Sequence, residues 1–285
     1  MADADLRLMS VHAHPDDEAS KGASLVARYV SEGARATLVC CTGGELGEVL
    51  NPAMNRPEVL ENLAEVRRDE LARSAAAIGY HHVELLGYLD SGMPDMEENA
   101  DPANFANAPL DEATGRLVSL IRRDRPQVIL TYSDDQGGYP HPDHIRVHDI
   151  SLLAFDRAGD PGWYPELGEP WEPSKMYYFV WSSARVTATH NKMLELGVES
   201  PFTEEWFARF NQDHRITTRI DVGKWFDVRD KALLAHATQI DPASPFWFGL
   251  PTEVSAEIYP WDEYILGATR VETELPEDDL FAGLR

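Results

Sequence analysis

The first half of the chain alternates between apolar segments typical of buried strands and segments typical of amphipathic helices. The strand-like segments lie at Leu6–His12, Ala34–Thr42, His82–Gly87 and Pro126–Ser133. The helical segments between them lie at Ser20–Gly33, Val59–Gly79 and Leu110–Asp124. Strands that alternate with helices of this length build βαβ units, and these units form a parallel sheet. The sequence therefore predicts an α/β fold, with a mostly parallel sheet and helices on both of its faces.

The pattern becomes weaker beyond about residue 160. The clearest elements there are one strand and one helix, at Met176–Trp181 and Lys224–Gln239, while much of the rest is rich in Trp and Pro and irregular. No internal repeat and no flexible linker separates the two halves. We therefore expect one domain over residues 1–285. About 1–160 would form the core, and about 161–285 would form a C-terminal elaboration that shapes the pocket.

The formal net charge of −24 narrows the classes of partner. A strongly acidic surface repels phosphate backbones and anionic lipids, so we expect neither a nucleic-acid nor a membrane partner. The N-terminal sequence MADADLRLMS lacks the basic and apolar regions of a signal peptide. The two cysteines, Cys40 and Cys41, are neighbours that do not suggest a framework disulfide. A cytoplasmic protein with a small-molecule partner fits these features, and the sequence carries no signal for an oligomeric state.

Two clusters of histidine and aspartate follow predicted strands. Their members are His14, Asp16 and Asp17 after the first strand, and His141, Asp143 and His144 after the fourth. Ligands of open parallel sheets bind beyond the carboxyl ends of the strands. Imidazole and carboxylate are the natural ligands of a borderline divalent cation such as zinc. The sequence therefore predicts a metal site at this edge of the sheet.

Either cluster alone has a simpler explanation, because aspartate also favours helix N-termini as a capping residue. Two such clusters at the ends of two parallel strands are hard to explain by capping, so metal binding is the better interpretation. Two histidines and one carboxylate would leave a fourth position open for water, as in catalytic sites. A spare carboxylate beside the ligands would serve as general base. Spacing alone does not say which aspartate takes which part.

The signatures AHPDDE (residues 13–18) and HPDH (residues 141–144) resemble those of the LmbE-like, or PIG-L type, zinc deacetylases. Longer strings extend the resemblance along nearly the whole chain, and they are similar to the mycothiol S-conjugate amidase branch of that family. These strings are TGGELGEVLNPAM, RRDE, DSGMP, GGYPHPDHIRVH, HATQID and ETELPEDDLFAGL. The resemblance implies a Rossmann-like (LmbE-like) fold with one Zn²⁺ per chain, and another divalent metal is the alternative.

The resemblance also implies a role for each signature residue. The zinc ligands would be His14, Asp17 and His144. Asp16 would act as general base. His141 would be the electrophilic or acid partner near the oxyanion and the leaving amine, and Asp143 would orient it. Tyr139, in the GGYP turn, would polarise the amide carbonyl, and stabilising the oxyanion is where most of the rate acceleration should arise.

Substrate binding is predicted for four further residues. Glu48, Arg67 and Asp90 match polar positions that relatives use to bind glucosamine and inositol hydroxyls. Their simpler explanations are, in that order, a loop charge, a solvated helix face and a turn-forming aspartate. Lys21 opens the first predicted helix, where a cation opposes the helix dipole, so it could meet the cysteinyl part of a conjugate. A solvated lysine is the simpler explanation.

Other histidines and the tryptophans receive the simpler interpretation. His148 lies one helical turn beyond His144 and would support the ligands rather than bind the metal. His12 would be structural or supporting, and His236 would be a packing residue on the predicted C-terminal helix. The tryptophans are expected mostly in the core, with some on the pocket wall: Trp163, Trp171, Trp181, Trp247 and Trp261.

The resemblance implies a zinc amidase that cleaves the linear amide between glucosaminyl-inositol and the N-acetylcysteinyl group of a mycothiol S-conjugate, and the composition fits a cytoplasmic location. Its partner would be this small pseudodisaccharide thiol conjugate, and a mercapturic acid would be released for detoxification. The nearest alternative is the N-acetylglucosaminyl-inositol deacetylase of mycothiol biosynthesis, which shares the ligands and the base. A second alternative is an amidase dedicated to one mycothiol-conjugated antibiotic intermediate. A binding protein with an inactive site on the same fold is the alternative from a different class.

Overall fold

A seven-stranded β-sheet runs through the molecule in the computed structural model, which describes residues 5–136, 138–209 and 212–285. Residues 1–4, on which part of the signal-peptide prediction rests, lie outside the described residues. The strands are β1 (Arg7–His12), β2 (Arg35–Thr42), β3 (His82–Tyr88), β4 (Val128–Thr131), β5 (Lys175–Phe179), β6 (Thr218–Asp221) and β7 (Trp261–Thr269). Their order across the sheet is β3-β2-β1-β4-β5-β7-β6.

Most of the neighbouring strands are parallel. β1 pairs with β2 and with β4, β2 pairs with β3, and β4 pairs with β5, all in parallel orientation. β7 runs antiparallel to both of its neighbours, β5 and β6. The prediction of an α/β, Rossmann-like architecture with a mostly parallel sheet is therefore confirmed.

Helices surround this sheet, and in the part of the chain that the structure describes they are α1 (Asp17–Ser20), α2 (Ala23–Ser31), α3 (Pro57–Leu60), α4 (Leu63–Ile78), α5 (Leu110–Asp124), α6 (Pro142–Arg157), α7 (Ser183–Glu195), α8 (Glu204–Arg209), α9 (Phe226–Ala235), α10 (Pro245–Phe248) and α11 (Thr252–Ile258). The first predicted helix, Ser20–Gly33, corresponds to α2, and the short helix α1 comes before it. Gly22 lies between them with φ of 92°, a left-handed conformation that glycine adopts without steric cost. None of these helices is long and apolar enough to cross a bilayer.

The side chains of β1 alternate between two hydrophobic cores, one on each face of the sheet. Met9 and Val11 pack on the face covered by α5 and α6. Leu8 packs on the opposite face, which α2 and α9 cover. All three are excluded from solvent, and burial of each such side chain contributes about 1.5–3 kcal/mol to stability. Helices therefore cover both faces, which explains why the strand is a continuous apolar run.

The C-terminal half contributes three strands to the same sheet. β5 and α9 correspond to the strand and the helix predicted there, whereas β6 and β7 were not predicted. A buried ion pair joins Lys175 on β5 to Glu277, with 2.5 Å between Nζ and Oε1. The Glu277 carboxylate also accepts a hydrogen bond from Tyr177 at 2.7 Å. These contacts satisfy a buried charge and fasten the C-terminal segment to the sheet.

Candidate metal centre

The two His/Asp clusters meet where the strand order of the sheet reverses. β1 and β4 are neighbours, and the chain continues from β1 to β2 on one side and from β4 to β5 on the other. His14 and Asp17 follow β1, and His144 lies in the first turn of α6, which begins at Pro142 after β4. A switch point of this kind leaves a crevice at the carboxyl ends of the strands. The fold thus brings the predicted ligands to one crevice.

Three side chains there form a group with the geometry of a cation site. Asp17 Oδ2 lies 3.5 Å from His14 Nδ1 and 3.6 Å from His144 Nε2. Candidate ligand atoms of the three residues all lie within 4.8 Å of one another, and all three residues are buried. Zinc binds nitrogen and oxygen at about 2.0–2.2 Å in tetrahedral sites, which places neighbouring ligand atoms about 3.4 Å apart. The group therefore fits a divalent cation in size and in donor chemistry.

We call His14, Asp17 and His144, the candidate ligands, the metal-ligand group. A carboxylate behind this group fixes the orientation of His14. His14 Nε2 lies 3.1 Å from Asp143 Oδ2 and 3.5 Å from Asp90 Oδ1, which leaves Nδ1 facing Asp17. The Asp143 carboxylate also accepts hydrogen bonds from the N–H and the hydroxyl of Ser91, at 3.0 and 2.5 Å. Burial lowers the pKa of His14, but its hydrogen bonds to carboxylates outweigh burial and raise the pKa well above the ordinary value. Such a second carboxylate holds histidine ligands in place at metal sites.

His141 lies beside the ligands and has a defined neutral tautomer. Its Nδ1 accepts a hydrogen bond from the backbone N–H of Asp143 at 3.2 Å, at the N-terminus of α6. The proton of a neutral ring is then on Nε2, which lies 4.0 Å from Asp90 Oδ1. Burial, followed by the charge of His14, lowers the pKa of His141. Asp143 therefore meets His141 through its main chain, while its carboxylate contacts His14.

Asp16, the predicted general base, lies in a backbone conformation that is rare for residues other than glycine. Its φ is 108°, and such strain concentrates at functional sites. Arg67 Nη2 lies 3.2 Å from Asp16 Oδ2, and the backbone N–H of Asp16 donates to Glu18 Oε2 at 3.0 Å. Partial burial raises the pKa of Asp16, and Arg67 opposes this rise. The contact with Arg67 fixes the direction of the Asp16 carboxylate, which lines the cleft, and the contact with Glu18 holds the backbone that carries it.

The three residues predicted to bind the sugar and inositol hydroxyls all line the same cleft. Glu48 is exposed on its rim, and Asp90 is buried. Arg67 is only 2% exposed, so it is not part of a solvated helix face. Its guanidinium also donates hydrogen bonds to the carbonyls of Pro15 and Gly44. Arg67 thus holds the loop after β1 as well as Asp16.

Lys21 ends α1 rather than opening a helix, because α2 begins only at Ala23. The prediction that a cation here opposes a helix dipole was therefore wrong, since a helix C-terminus favours positive charge. Lys21 Nζ lies 2.6 Å from Asp17 Oδ1. Burial would raise the pKa of Asp17, but Lys21, His144 and His14 outweigh burial and hold it well below the ordinary value. Lys21 lines the cleft beside the metal-ligand group.

Two adjoining clefts open beside the metal-ligand group. The first, of about 500 Å³, is lined by the predicted sugar-binding residues and, of the predicted catalytic residues, by Asp16, Tyr139 and His141, whereas Asp143 is buried behind it. The second, of about 420 Å³, shares with it Lys21, Tyr139, His144, Trp181 and Phe246. Tyr139 is 49% exposed, and its ring centroid lies 5.4 Å from that of His144. Gly137, the first residue of the GGYP turn that carries Tyr139, lies outside the described residues.

The contact between Glu18 and His236 was not predicted from the sequence. His236 Nε2 lies 2.5 Å from Glu18 Oε1, and both side chains are fully buried. Ser74 donates a hydrogen bond to the same carboxylate oxygen at 2.5 Å. His236 comes directly after α9, so this residue, which was predicted to pack, instead forms an ion pair with the AHPDDE signature. The string HATQID, which contains His236, is the signal that could have found it.

Two other histidines support the site from behind. His148 Nδ1 donates to the carbonyl oxygen of Tyr132 at 2.9 Å, and the Tyr132 ring stacks on His144 with centroids 4.3 Å apart. His148 therefore contacts the candidate ligand His144 only through Tyr132. His12 is fully buried and stacks on Phe179 with centroids 5.0 Å apart. Burial lowers the pKa of His12 to about 4, so its ring is neutral.

Comparisons with known proteins agree with this site and fold. Residues 9–155 match the family model of PIG-L, the GlcNAc-PI de-N-acetylase. The chain is 47% identical to mycothiol S-conjugate amidase of Streptomyces coelicolor and 39% identical to 1D-myo-inositol 2-acetamido-2-deoxy-alpha-D-glucopyranoside deacetylase of Geodermatophilus obscurus, each over 98% of both chains. N,N'-diacetylchitobiose deacetylase from Pyrococcus horikoshii shares the fold, with a TM-score of 0.64 and 16% identity over 93% of this chain and 84% of that chain. The chain therefore belongs to the PIG-L family.

Proposed function

We propose that the protein is a zinc-dependent amidase that hydrolyses mycothiol S-conjugates. It would cleave the amide between glucosaminyl-inositol and the N-acetylcysteinyl group and release a mercapturic acid. The observation that carries the proposal is the buried group of His14, Asp17 and His144 at the cleft, with the spare carboxylate of Asp16 on its wall. The choice of substrate is supported by the amidase relative at 47% identity, against 39% for the deacetylase relative.

His14, Asp17 and His144 would hold the zinc ion. Bound there, the cation supplies a Lewis acid for the amide carbonyl and lowers the pKa of a coordinated water. The Asp143 carboxylate accepts a hydrogen bond from the Nε2–H of His14, and this hydrogen bond directs Nδ1 toward Asp17. Lys21 neutralises Asp17 through Oδ1, so Oδ2 remains available for the cation. The ligand set is thereby oriented before the cation binds.

The remaining side chains would move protons and stabilise charge. Asp16 would accept a proton from the attacking water as general base, and Arg67 keeps its carboxylate from turning away. His141 carries its proton on Nε2 and would donate a hydrogen bond to the developing oxyanion, while the proton that Asp16 accepts from the water would pass to the leaving amine. Tyr139 would donate its hydroxyl hydrogen bond to the carbonyl oxygen as negative charge develops there.

We place the reaction in the cytoplasm. Cys40 and Cys41 are both free and buried, as expected for a protein in a reducing compartment. Burial raises the pKa of each thiol well above its ordinary value, so neither is a ready nucleophile. Neither thiol is therefore assigned a part in the chemistry.

A paired kinetic assay tests the proposal. The zinc-loaded protein would be given a mycothiol S-conjugate with a fluorescent sulfur substituent and, separately, N-acetylglucosaminyl-inositol, and kcat/KM would be compared. We expect a preference for the conjugate. A preference for the acetylated compound would identify a biosynthetic deacetylase instead. Turnover of neither compound with metal bound would contradict both and point to a dedicated pathway substrate or a binding role.

Metal analysis provides the matched control. His144→Ala should lose the bound zinc and all turnover, because it removes one of three ligands. His82→Ala, which changes an exposed histidine at the start of β3, should retain both. Zinc content measured by mass spectrometry in both variants separates ligation from a general effect of removing histidine. A fully active His144→Ala would contradict the assigned ligand set.

A further inference from the structure

Tyr132 lies beside the metal-ligand group, although no role was predicted for it from the sequence. It is the first residue after β4, and only 2% of its surface is exposed. β4 is the parallel neighbour of β1, and His14 and Asp17 follow β1. The Tyr132 side chain can therefore meet the residues that follow β1 as well as His144 on α6.

The ring of Tyr132 supports the candidate ligand His144. The two rings stack with centroids 4.3 Å apart and 29° between their planes. Stacking of this kind limits the rotation of the imidazole, and so it sets the direction in which Nε2 faces Asp17 Oδ2. Among the described residues, Asp17 is the one carboxylate that pairs with His144. The stacked ring thus has the part for His144 that the Asp143 carboxylate has for His14.

The hydroxyl of Tyr132 reaches the segment that carries the other two candidate ligands. The backbone N–H of Ala13, the residue before His14, donates to Tyr132 Oη at 3.2 Å. Burial raises the pKa of Tyr132 well above its ordinary value, and the charge of Asp17 and a hydrogen bond with its carboxylate raise it further. The hydroxyl is therefore protonated and has its own hydrogen to donate to Asp17. One hydroxyl thus holds both the Asp17 carboxylate and the backbone that leads to His14.

Tyr132 is itself held from several sides. His148 Nδ1 donates to its carbonyl oxygen at 2.9 Å, and Phe179 lies 6.0 Å from its ring, between centroids. Lys21 Nζ, which pairs with Asp17 Oδ1, lies 5.7 Å from the centroid of the same ring. A cation over an aromatic face is attracted by the ring quadrupole. Tyr132 therefore also contacts the cation that neutralises Asp17.

We propose that Tyr132 is a positioning residue of the metal centre, whose ring orients His144 and whose hydroxyl orients Asp17. The inference rests on the proposed zinc site and adds to it a residue that is not a ligand. It joins two ligands that come from different segments of the chain. Loss of a partner that orients a metal ligand typically lowers metal affinity by about 10- to 100-fold.

Two substitutions separate the two contacts of Tyr132. Tyr132→Phe keeps the ring and removes the hydroxyl, so the Kd for zinc should rise about tenfold in a competition titration with a chelator. Tyr132→Leu also removes the stacked ring, so the Kd should rise by about another tenfold. Tyr80→Phe is the matched control, because it removes a hydroxyl that lies 2.6 Å from Ser10 Oγ on β1, outside the metal-ligand group. Its Kd should equal that of the wild type.

The visible absorption of the Co²⁺-loaded protein distinguishes positioning from a general loss of stability. Co²⁺ binds the same kinds of ligand as Zn²⁺, and the positions of its absorption bands depend on how the ligands are arranged. Partial unfolding would lower the intensity of the bands without moving them. We expect the bands to move in both Tyr132 variants and to stay in place in Tyr80→Phe. Unchanged Kd and bands in both Tyr132 variants would overturn the inference, and a change in Tyr132→Leu alone would overturn the part assigned to the hydroxyl.

None of these measurements uses a mycothiol conjugate, so they separate this inference from the proposed substrate. A wild-type protein that binds zinc and cleaves no conjugate would overturn the proposed amidase function and leave the role of Tyr132 intact. A wild-type protein that binds neither Zn²⁺ nor Co²⁺ would overturn both.

Discussion

Replacing His236 by alanine tests whether the C-terminal half sets the geometry of the proposed general base. His236 Nε2 and Glu18 Oε1 are 2.5 Å apart in a region that excludes solvent. The same Glu18 carboxylate accepts the backbone N–H of Asp16 through Oε2. Asp16 is the residue with a φ of 108°, so its conformation needs such support. The contacts therefore form a continuous path from the end of α9 to the proposed base.

The expected loss can be worked out from these contacts. His236→Ala leaves the Glu18 carboxylate buried without its cationic partner, and removing one member of a buried pair costs about 3–5 kcal/mol. The hydroxyl of Ser74 and the N–H of Asp16 remain as donors and offset part of this cost. We expect the free energy of unfolding to fall by about 3 kcal/mol. Because a shift of about 1 Å in a reacting group can cost about a hundredfold in rate, kcat should fall about 10- to 100-fold.

Urea unfolding and steady-state kinetics measure the two effects. The double variant Glu18→Gln/His236→Ala removes the stranded charge, so it should recover much of the stability that His236→Ala loses. Zinc content should stay the same in both variants, because none of the proposed ligands has changed. A loss below about 1 kcal/mol together with a normal kcat would refute the reasoning, since both effects derive from the same buried pair.

The pH dependence of stability gives an independent measure of the same pair. Burial lowers the pKa of His236, but Glu18 outweighs burial and raises it above 6.5. The contribution of His236 is thus fully present below pH 6.5 and is lost as the pH rises through the folded pKa. Burial would raise the pKa of Glu18, but His236 lowers it below 4.5, so the contribution of Glu18 is present above pH 4.5 and is lost as the pH falls through its folded pKa. The stability difference between wild type and His236→Ala should therefore be largest between pH 4.5 and 6.5.

Three further substitutions test other parts of the structure. Ser91→Ala removes a hydrogen bond to the Asp143 carboxylate, so zinc affinity should fall about 10- to 100-fold in a competition titration with a chelator. Gly47→Ala would place a methyl group against the Arg67 guanidinium, so kcat/KM should fall by about tenfold while zinc content is unchanged. Lys175→Met leaves a buried carboxylate without its cation, and urea unfolding should show a loss of about 3–5 kcal/mol with a normal kcat.

The two strands β1 and β2 could be predicted because their burial is simple. β1 is buried on both faces and β2 on nearly all of its length, so their sequences are continuous apolar runs. β6 has only four residues, Thr218–Asp221, and buries every second one, and β7 begins with exposed or half-buried residues. Such short, half-polar strands depend on pairing with a neighbour rather than on their own pattern. Sequence reasoning therefore missed both.

The part of the proposed site that lies beyond the carboxyl ends of the strands could be predicted from the sequence. His14 and Asp17 come shortly after β1, and His144 lies in the first turn of α6, the helix that follows the neighbouring parallel strand β4. The carboxyl ends of such strands meet in any sheet of this kind. The pair of Glu18 and His236 joins residues more than 200 positions apart. No local pattern predicts that contact, because it depends on how α9 packs against the first helices. Lys21 shows the converse, since the local dipole argument failed because the predicted helix begins only at Ala23, after a separate short helix that Lys21 ends.

The metal-ligand group and part of the wall of the second cleft come from different parts of the chain. The metal-ligand group and the base lie within residues 9–155, the segment that matches the family model. Four of the aromatic residues that line the second cleft lie beyond that segment: Phe179, Trp181, Trp206 and Phe246. Substitutions at Trp181, Trp206 or Phe246 can change which acyl groups fit without moving a candidate ligand, because these three side chains pack on a separate hydrophobic cluster. His236 is the exception, since it lies in the C-terminal half and is tied through Glu18 to the proposed base. A change in the C-terminal half should therefore alter substrate range when it falls in the cleft walls, and kcat for every substrate when it breaks the His236 contact.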